Sequence, residues 1–354
     1  MRIAVGMSGG VDSTAAALAL RDAGHDVFGV TMLVSGVDDS DTAGAAAGAL
    51  GLRHYVVDLK DAFEREVVEP FVRAYAAGRT PNPCVLCNRA LKFGALRKAA
   101  LGLGADRFAT GHYARLMSGG DAPPRLFEAV DGSRDQSYFV AAVPAEALAA
   151  CLMPLGNITK NDASSLVDAA GLTATVAPES RDICFIPTGD MRSFLEARAP
   201  GALRPGPIED IEGRTLGEHA GLALYTVGQR TGLGLSRPRP TYVLSIEPGR
   251  NALVVGDDDD LACGGLEAGD LRWLAGAPPG ARFRADVRIR SASPRTPAEI
   301  EVRGATAVVS FDEPVRAVAP GQAAVFYRGE EVLGSGTIER GVEAALGRRS
   351  GRPR

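Results

Sequence analysis

The chain lacks several features that mark familiar protein classes. No apolar run reaches the roughly 18 residues of a membrane-spanning helix, so no membrane partner is expected. No charged segment and apolar stretch precede the first strand-like residues, which predicts a cytoplasmic protein. With four histidines and no H-x-x-x-H pair, a zinc hydrolase is not indicated. A net charge of −4 excludes a globally basic nucleic-acid binder but allows a local basic surface.

Cysteine is too scarce for a disulfide framework. Five cysteines, an odd number among 354 residues, do not resemble a small secreted domain, and they suit a reducing cytosol. Cys151 and Cys263 lack a polar context, and we interpret both as structural. The length exceeds the usual size of a single hydrophobic core, so two or three domains are expected.

The residues after the first apolar run, Gly6 to Thr14, read G-M-S-G-G-V-D-S-T. Adjacent glycines let backbone N–H groups approach an anion, and the following helix directs its positive end there. Ser8 and Ser13 add hydroxyl donors, and Asp12 suits a phosphate-bound Mg²⁺ ion. The P-loop pattern fails, because Val11 and Asp12 stand where it needs glycine and lysine. The S-G-G-x-D-S pattern resembles the PP-loop ATP pyrophosphatases, which adenylate an oxygen; a capped glycine turn is the alternative.

Short apolar strands alternate with helical segments in the first third of the chain. The predicted strands cover 3–5, 27–33, 54–57 and 107–110, and the predicted helices cover 13–23, 42–50, 89–100 and a stretch from 62 onward. This alternation predicts an α/β fold with a doubly wound parallel sheet and helices on both faces. Gly111 and His112 follow the last of these strands, at the sheet edge where ligands bind in such folds.

After about Met191 the sequence changes to short β-like runs separated by glycine and proline. These runs cover 222–227, 242–246, 252–255, 285–290, 298–302, 305–311, 323–327 and 331–338, and the later ones have the spacing of a small barrel. We therefore predict an adenylation domain over 1–192, a central β-rich domain over 193–263, a C-terminal β-barrel over 264–340 and a disordered tail over 341–354.

Two further segments contain cysteines in reactive contexts. In T-P-N-P-C-V-L-C-N (80–88), the prolines force an extended loop before a helix predicted to begin just after Cys87, where the helix dipole stabilises a thiolate. The C-x-x-C spacing of Cys84 and Cys87 also suits redox or metal chemistry. In E-S-R-D-I-C-F-I (179–186), Cys184 falls in a short apolar strand, where a buried structural role is the alternative. Beside an adenylating loop, these cysteines suggest a sulfur carrier whose sulfur displaces AMP from an activated carbonyl.

With these segments in order, the chain resembles the bacterial tRNA-specific 2-thiouridylase family nearly from end to end. Besides the loop, the matching segments are 78–83, 86–88, 109–115, 135–139, 182–186, 225–230, 232–234, 311–314 and 320–323. The resemblance implies thiolation at C2 of the wobble uridine in tRNA, with ATP converted to AMP and pyrophosphate. It also implies that the β-barrel binds tRNA and that sulfur arrives through relay proteins fed by a cysteine desulfurase.

The resemblance assigns three groups of site residues. ATP would bind Gly6, Met7, Ser8, Gly9, Gly10, Val11, Asp12, Ser13, Met32 and Gly111. The tRNA would contact Asn82, Pro83 and Cys84 beside the target base, and also His112, Arg134, Asp135, Gln136, Arg288, Ile289 and Gln322. Cys184 would carry the persulfide, and Cys87 would complete sulfur release and leave a Cys87–Cys184 disulfide.

Two features depart from the family pattern and leave alternatives open. Cys84 stands where some members have an aspartate with a proposed acid/base role, and the segment 34–41 is short. Cys84, Cys87 and Cys184 are therefore compatible with a persulfide route, which we favour, or with an iron–sulfur cluster that has an open iron position. Two other functions remain as hypotheses: a PP-loop ligase that captures the activated carbonyl with nitrogen, and a non-catalytic RNA-binding protein with structural ATP.

Overall fold

The computed structural model describes residues 1–36, 38–117, 122–173, 176, 183–186 and 190–343. In chain order, its strands are β1 (Arg2–Gly6), β2 (Asp26–Leu33), β3 (Arg53–Asp58), β4 (Arg107–Thr110), β5 (Ala114–Met117), β6 (Arg125–Glu128), β7 (Cys151–Leu152), β8 (Gly206–Glu209), β9 (Thr215–His219), β10 (Tyr242–Glu247), β11 (Ala252–Gly256), β12 (Ala262–Trp273), β13 (Arg282–Arg288), β14 (Thr296–Arg303), β15 (Thr306–Arg316), β16 (Ala323–Arg328) and β17 (Glu331–Glu343).

The helices are concentrated in the first part of the chain. They are α1 (Val11–Asp22), α2 (Ser40–Ala49), α3 (60–76), α4 (83–102), α5 (Ser137–Val140), α6 (Ala145–Leu148), α7 (Lys160–Ala169) and α8 (Met191–Arg198). Both α3 and α4 widen to π-helical hydrogen bonding in the middle, over Glu64–Val68 and Asn88–Leu96. Single 3₁₀ turns occur at Pro154–Asn157, Pro200–Ala202, Leu222–Leu224, Pro248–Arg250 and Asp258–Leu261.

The first sheet has the order β3-β2-β1-β4-β7, and every pairing in it is parallel. Its central strand β1 is apolar because both faces are covered, and Ile3, Ala4 and Val5 are fully buried. The predicted doubly wound parallel sheet is therefore confirmed. The strand predicted at 107–110 has the observed bounds, and the other predicted strands of this sheet lie within one residue of theirs.

A second sheet closes into a barrel near the carboxyl end. Its order is β12-β15-β14-β13-β16-β17, and a further β12–β17 pairing joins the two ends, so this barrel has no free edge. Alternate residues such as Val287, Ile300, Val309 and Phe326 fill its interior. The predicted barrel is confirmed, and its last strand continues to Glu343, three residues beyond the predicted end at 340. The rest of the predicted tail, 344–354, lies outside the described residues.

A small four-stranded sheet, β10-β11-β8-β9, separates these two parts along the chain. The strand predicted at 222–227 is wrong: Leu222–Leu224 form a 3₁₀ turn. Gly221, at φ 132°, begins that turn, and an added Cβ there would lie 2.5 Å from the Leu203 Cα atom. The apolar residues of this stretch therefore pack into the core beside the small sheet without pairing as a strand. The predicted domain boundaries themselves stay a prediction.

The barrel and the parallel-sheet part are joined by a shared core and by hydrogen bonds. The hairpin β5–β6 belongs to the first part by sequence, yet it extends the barrel sheet through the antiparallel β6–β17 pairing. Thr80 N–H donates to Pro320 O at 2.8 Å, and Tyr138 Oη donates to Ala323 O at 3.0 Å. In the part of the chain that the structure describes, no helix is both long and apolar enough to cross a membrane.

Candidate active site

A cavity of about 560 Å³ lies at the carboxyl ends of the parallel strands. The turn after β1 and the end of β2 form one wall, and α4, the residues after β4 and the 183–185 segment form the other. The lining includes Gly6, Met7, Ser8, Asp12, Ser13, Thr31, Met32, Asp39, Pro83, Cys84, Cys87, Asn88, Lys92, Thr110, Gly111, His112, Gln136, Ile183, Cys184 and Phe185. The fold thus brings the glycine-rich turn and the three predicted reactive cysteines to one cavity.

The glycine-rich turn is held by contacts that require its glycines and serines. Gly9 has φ 73°, and a Cβ there would lie 2.8 Å from the Thr42 backbone. Ser8 N–H donates to Ser13 Oγ at 3.2 Å, and Ser13 Oγ donates to Gly10 O at 3.0 Å. A Cβ on Gly111 would lie 2.7 Å from the Asp12 backbone, so only glycine fits there. The loop is therefore fixed in shape at the start of α1, where a helix favours an anion.

Asp12 is bound by two groups that sequence reasoning missed in this role. Its Oδ1 atom accepts hydrogen bonds from Lys160 Nζ at 2.7 Å and from Tyr113 Oη at 2.8 Å. Burial, and then the Asp12 carboxylate, raise the pKa of Tyr113, so its hydroxyl remains a donor. Lys160 is the first residue of α7 and lies inside the capping box formed by Thr159 and Asp162. That pattern indicates a helix start but not the pairing with Asp12.

The other end of the loop is tied to β2 and β3. Thr31 Oγ1 donates to Met7 O at 2.8 Å, and His54 Nε2 lies 2.7 Å from the same hydroxyl oxygen. Because the threonine proton is used on Met7, His54 Nε2 is the donor in the second bond. Burial lowers the pKa of His54, which favours the neutral ring. Met32, predicted at the nucleotide, lines the cavity one residue beyond Thr31.

The cysteine-containing helix differs from the prediction. It begins at Pro83, not after Cys87, and Asn82 caps it by accepting from the N–H groups of Cys84 (3.2 Å) and Val85 (3.3 Å). The error arose because Pro83 is favourable at a first helical position, whereas we read it as part of an extended loop. Cys87 therefore ends the first turn and is buried, and burial raises the pKa of its thiol to about 11. Burial therefore opposes the stabilised Cys87 thiolate that the sequence predicts.

Cys184 lies in a turn, not in the predicted strand, within the described segment 183–186. The residue is exposed at the cavity, as is Cys84, and none of the five cysteines, all of which the structure describes, forms a disulfide bond. Desolvation by the cavity wall, followed by the nearby Cys84, raises the pKa of Cys184. The preceding motif residues 179–182 lie outside the described part of the chain. The three thiols lie near enough for their charges to shift one another's pKa.

Three polar residues, two from α4 and one from the segment after β4, complete the cavity. Asn88 Nδ2 donates to Phe139 O at 3.1 Å, while its buried Oδ1 has no hydrogen-bond partner. His112 is buried, bonds through Nδ1 to Thr110 Oγ1 at 2.8 Å and packs against Phe93. Burial, then the charge of Lys92, hold the pKa of His112 well below its usual range. Lys92 and Asn88 were missed, because no spacing rule marks either one.

The two predicted inorganic cofactors, an iron–sulfur cluster and Mg²⁺, need different donor groups from the protein. Among the described residues, no group of three or more His, Cys, Asp and Glu side chains is arranged to hold a metal ion. Cys84, Cys87 and Cys184 thus do not fit as the ligand set of an iron–sulfur cluster. Mg²⁺ needs less from the protein, since one carboxylate and the substrate phosphates suffice, and Asp12 at the phosphate loop fits that requirement.

Several residues predicted to contact tRNA are engaged inside the protein. Arg288 bridges Glu128 and Asp135, at 3.0 Å each, and Ile289 is buried in the barrel core. Gln322 Nε2 donates to Thr80 O at 2.9 Å. Gln136 Oε1 accepts from Tyr113 N–H at 3.0 Å and lines the cavity, whereas Arg134 is exposed. Their roles toward tRNA stay predictions.

The short segment 34–41 forms part of the cavity wall. Val34 is buried, and Gly36, at φ 80°, lies against Phe185, whose backbone oxygen would be 3.5 Å from an added Cβ. Asp39 lines the cavity, and its pKa is raised by burial and by Asp38. Residue 37 lies outside the described residues. The segment therefore places a carboxyl group and the cysteine turn side by side.

Comparison with known proteins covers 96% of the chain. Residues 1–188 match the tRNA methyl transferase HUP domain, 192–257 the tRNA methyl transferase PRC-barrel domain and 264–338 the aminomethyltransferase beta-barrel domain. The tRNA-specific 2-thiouridylase MnmA of Chloroflexus aurantiacus is 45% identical over 352 residues, covering 96% of this chain and 98% of the relative. The protein of the same name from Roseiflexus sp. is 44% identical over 370 residues (96% and 99%), and that from Carboxydothermus hydrogenoformans is 42% identical over 356 residues (96% and 98%).

Proposed function

The chain belongs to the tRNA-specific 2-thiouridylase family, and from this premise we propose how its cavity transfers sulfur. The protein is an ATP-using tRNA sulfurtransferase that thiolates the wobble uridine. The observation that supports the mechanism is the single cavity that holds both the phosphate-binding turn and Cys87 with Cys184. An adenylated base bound in this cavity can therefore react with a sulfur-bearing cysteine without moving to another site.

The first step is activation of the base. The N–H groups of the turn 6–13, at the start of α1, bind the phosphates of ATP, and Met32 and Gly111 flank the nucleotide. The uracil O2 atom attacks the α-phosphorus, and pyrophosphate leaves. Asp12 would hold a Mg²⁺ ion, which supplies positive charge beside the leaving pyrophosphate. Lys160, paired with Asp12, places a further cation at the same end of the cavity.

The second step transfers sulfur. The terminal sulfur of a persulfide on Cys184 attacks C2 of the adenylated base, and AMP leaves with the electrons of the C2–O2 bond. The Cys87 thiolate then attacks the Cys184 sulfur, so that a Cys87–Cys184 disulfide forms and the 2-thiouridine sulfur leaves. Cellular thiols reduce that disulfide for another cycle. We propose that relay proteins fed by a cysteine desulfurase deliver the sulfur, as the sequence predicted; the cytoplasmic location also stays a prediction.

The base reaches this cavity only when it leaves the anticodon stack. Turning a base out of its stack costs the least free energy when the base is unpaired, as the wobble base is in the anticodon loop. Asn82, Pro83 and Cys84 line or border the cavity mouth and are proposed to lie beside the base. Arg134 is proposed to contact the tRNA backbone, and the barrel to bind the remainder of the tRNA.

The test is mass spectrometry of nucleosides from unmodified tRNA incubated with protein, ATP, Mg²⁺ and a persulfide source. We expect 2-thiouridine with the wild type and none with Cys184→Ser or Cys87→Ser, whereas tRNA-stimulated pyrophosphate release persists in Cys184→Ser. Cys263→Ser, in barrel strand β12, is the matched control and should retain full activity. Unaltered turnover in both cavity variants would instead support a nitrogen ligase, and no pyrophosphate release would support a non-catalytic RNA-binding protein.

A further inference from the structure

Lys92 is a half-buried cation in the active cavity. It lies on α4, within the π-helical stretch Asn88–Leu96, and lines the cavity with Cys87 and Cys184. Within the described ranges, its ammonium group forms no hydrogen bond or ion pair, unlike Lys160, which pairs with Asp12. Partial burial of an unpaired ammonium group is unfavourable. An anion that forms in the cavity would remove that cost.

The groups around Lys92 identify which anion it meets. Its charge acts on Cys87, Cys184 and His112, and opposes the raised pKa of both thiols. Among the residues that the structure describes, the other titratable groups facing these thiols are Cys84 and Asp39, and both disfavour a further negative charge. Asp12 lines the same cavity but is bound to Lys160 and Tyr113. Within this described set, Lys92 is thus the cation that favours a negatively charged sulfur at either cysteine.

We propose that Lys92 activates both sulfur atoms of the proposed reaction, by stabilising first the persulfide anion on Cys184 and then the thiolate of Cys87. This proposal rests on the sulfur-transfer function and adds an electrostatic residue to it. In the first step the persulfide anion gives an electron pair to C2, and AMP leaves with a pair. In the second, the Cys87 thiolate gives a pair to the Cys184 sulfur, and the 2-thiouridine sulfur leaves with a pair. Each attack begins from an anion beside Lys92.

The arrangement also explains how a buried cysteine serves as a nucleophile. Burial raises the pKa of Cys87 to about 11, and the charge of Lys92 keeps this pKa lower than burial would otherwise make it. A nearby opposite charge favours the ionised form of a thiol. Removing Lys92 therefore makes the thiolate scarcer still, whereas arginine at the same position keeps the charge.

The test measures thiolate formation separately from turnover. Wild type, Lys92→Met, Lys92→Arg and the control Lys98→Met, an exposed lysine further along α4, are alkylated with iodoacetamide from pH 7 to 10. Peptide mass spectrometry reads Cys87 and Cys184 individually. We expect Lys92→Met to slow alkylation of both cysteines by about tenfold at a given pH, since one pKa unit is a factor of ten, and Lys92→Arg to stay within about threefold. Lys98→Met should match the wild type.

Single-turnover thiolation completes the design. Lys92→Met should lower the rate of 2-thiouridine formation without raising the KM for ATP, and a thermal melt confirms that each variant is folded. Equal alkylation profiles in wild type and Lys92→Met would overturn the proposal, as would a Lys92→Arg variant as slow as Lys92→Met. If alkylation follows the expectation while the wild type makes no 2-thiouridine, the proposed function fails and the electrostatic role of Lys92 stands.

Discussion

At the scale of single residues, burial decides which groups of the cavity are charged. It raises the pKa of Cys87 and Cys184, and it lowers the pKa of His112 and His54. These two thiols and two imidazoles are therefore held neutral in the resting state, which avoids the cost of burying their charged forms. The reacting anions then appear only beside Lys92 and the bound nucleotide.

The buried His112 predicts a pH dependence of stability. Its pKa in the folded protein is well below that of the unfolded chain, so below about pH 6.5 the unfolded state binds a proton that the folded state excludes. The free energy of unfolding should therefore fall as the pH drops through this range. Urea titrations at pH 7.5 and 5.5 should show a smaller loss for His112→Gln than for the wild type. The control His25→Gln, at a half-exposed position, should lose as much as the wild type.

At the scale of elements, the first turn of α4 holds both a helix cap and two cysteines that line the cavity. Asn82 supplies the cap, Pro83 occupies the first helical position, and Cys84 and Cys87 lie one turn apart at the cavity. The following π-helical turns, Asn88–Leu96, contribute Asn88 and Lys92 to the same cavity. Such widened turns occur frequently at functional sites.

The cap predicts that Asn82 has a measurable structural role. Asn82→Ala should lower the free energy of unfolding by about 1 kcal/mol, because the N–H groups of Cys84 and Val85 lose their acceptor. Asn82→Asp restores an acceptor and should recover most of that stability in chemical denaturation. If Asn82 also contacts the base, as proposed, Asn82→Asp should still thiolate tRNA less well. Equal stability of Asn82→Ala and the wild type would contradict the capping role.

At the scale of the whole molecule, the barrel is fixed to the parallel-sheet part by buried polar groups. Arg288 on β13 forms ion pairs with Glu128 and Asp135, whose side chains are only 13% and 3% exposed. Its guanidinium group also lies over the Tyr327 ring at 5.3 Å, and Tyr327 Oη is 3.2 Å from Ser137 Oγ. These contacts set the orientation of the barrel toward the cavity.

Arg288→Ala should therefore lower the stability of the folded protein, and this loss is distinct from any effect on tRNA binding. Removing this cation takes an ion-pair partner from two buried carboxylates, and breaking a buried pair costs about 3–5 kcal/mol; Glu128 keeps its pair with Arg295 at 3.0 Å, so most of the loss comes from Asp135. The exposed barrel pair of Arg284 and Asp312 provides the control, and Arg284→Ala should leave the Tm unchanged within error. Differential scanning calorimetry measures both. An unchanged Tm in Arg288→Ala, with weaker tRNA binding, would favour the direct tRNA contact predicted from the sequence.

The chain by itself determined the parallel sheet and the glycine-rich turn after its first strand, and it predicts Cys87 and Cys184 as the reactive cysteines. Those features depend on local patterns: apolar strands alternating with helices, adjacent glycines before a helix, and cysteines in polar motifs. Sequence reasoning misplaced the start of α4, because the same proline is compatible with an extended loop and with a first helical turn.

Only the tertiary structure decided what surrounds those motifs. The pairing of Asp12 with Lys160, the position of Lys92 beside the thiols and the inward ion pairs of Arg288 join residues far apart in the chain. The barrel hairpin β5–β6 likewise crosses from the first part of the chain to the last strand. Burial and charge depend on three-dimensional distance, which no local pattern encodes. The sequence thus predicts the reaction class, and the fold decides which groups are charged when the reaction begins.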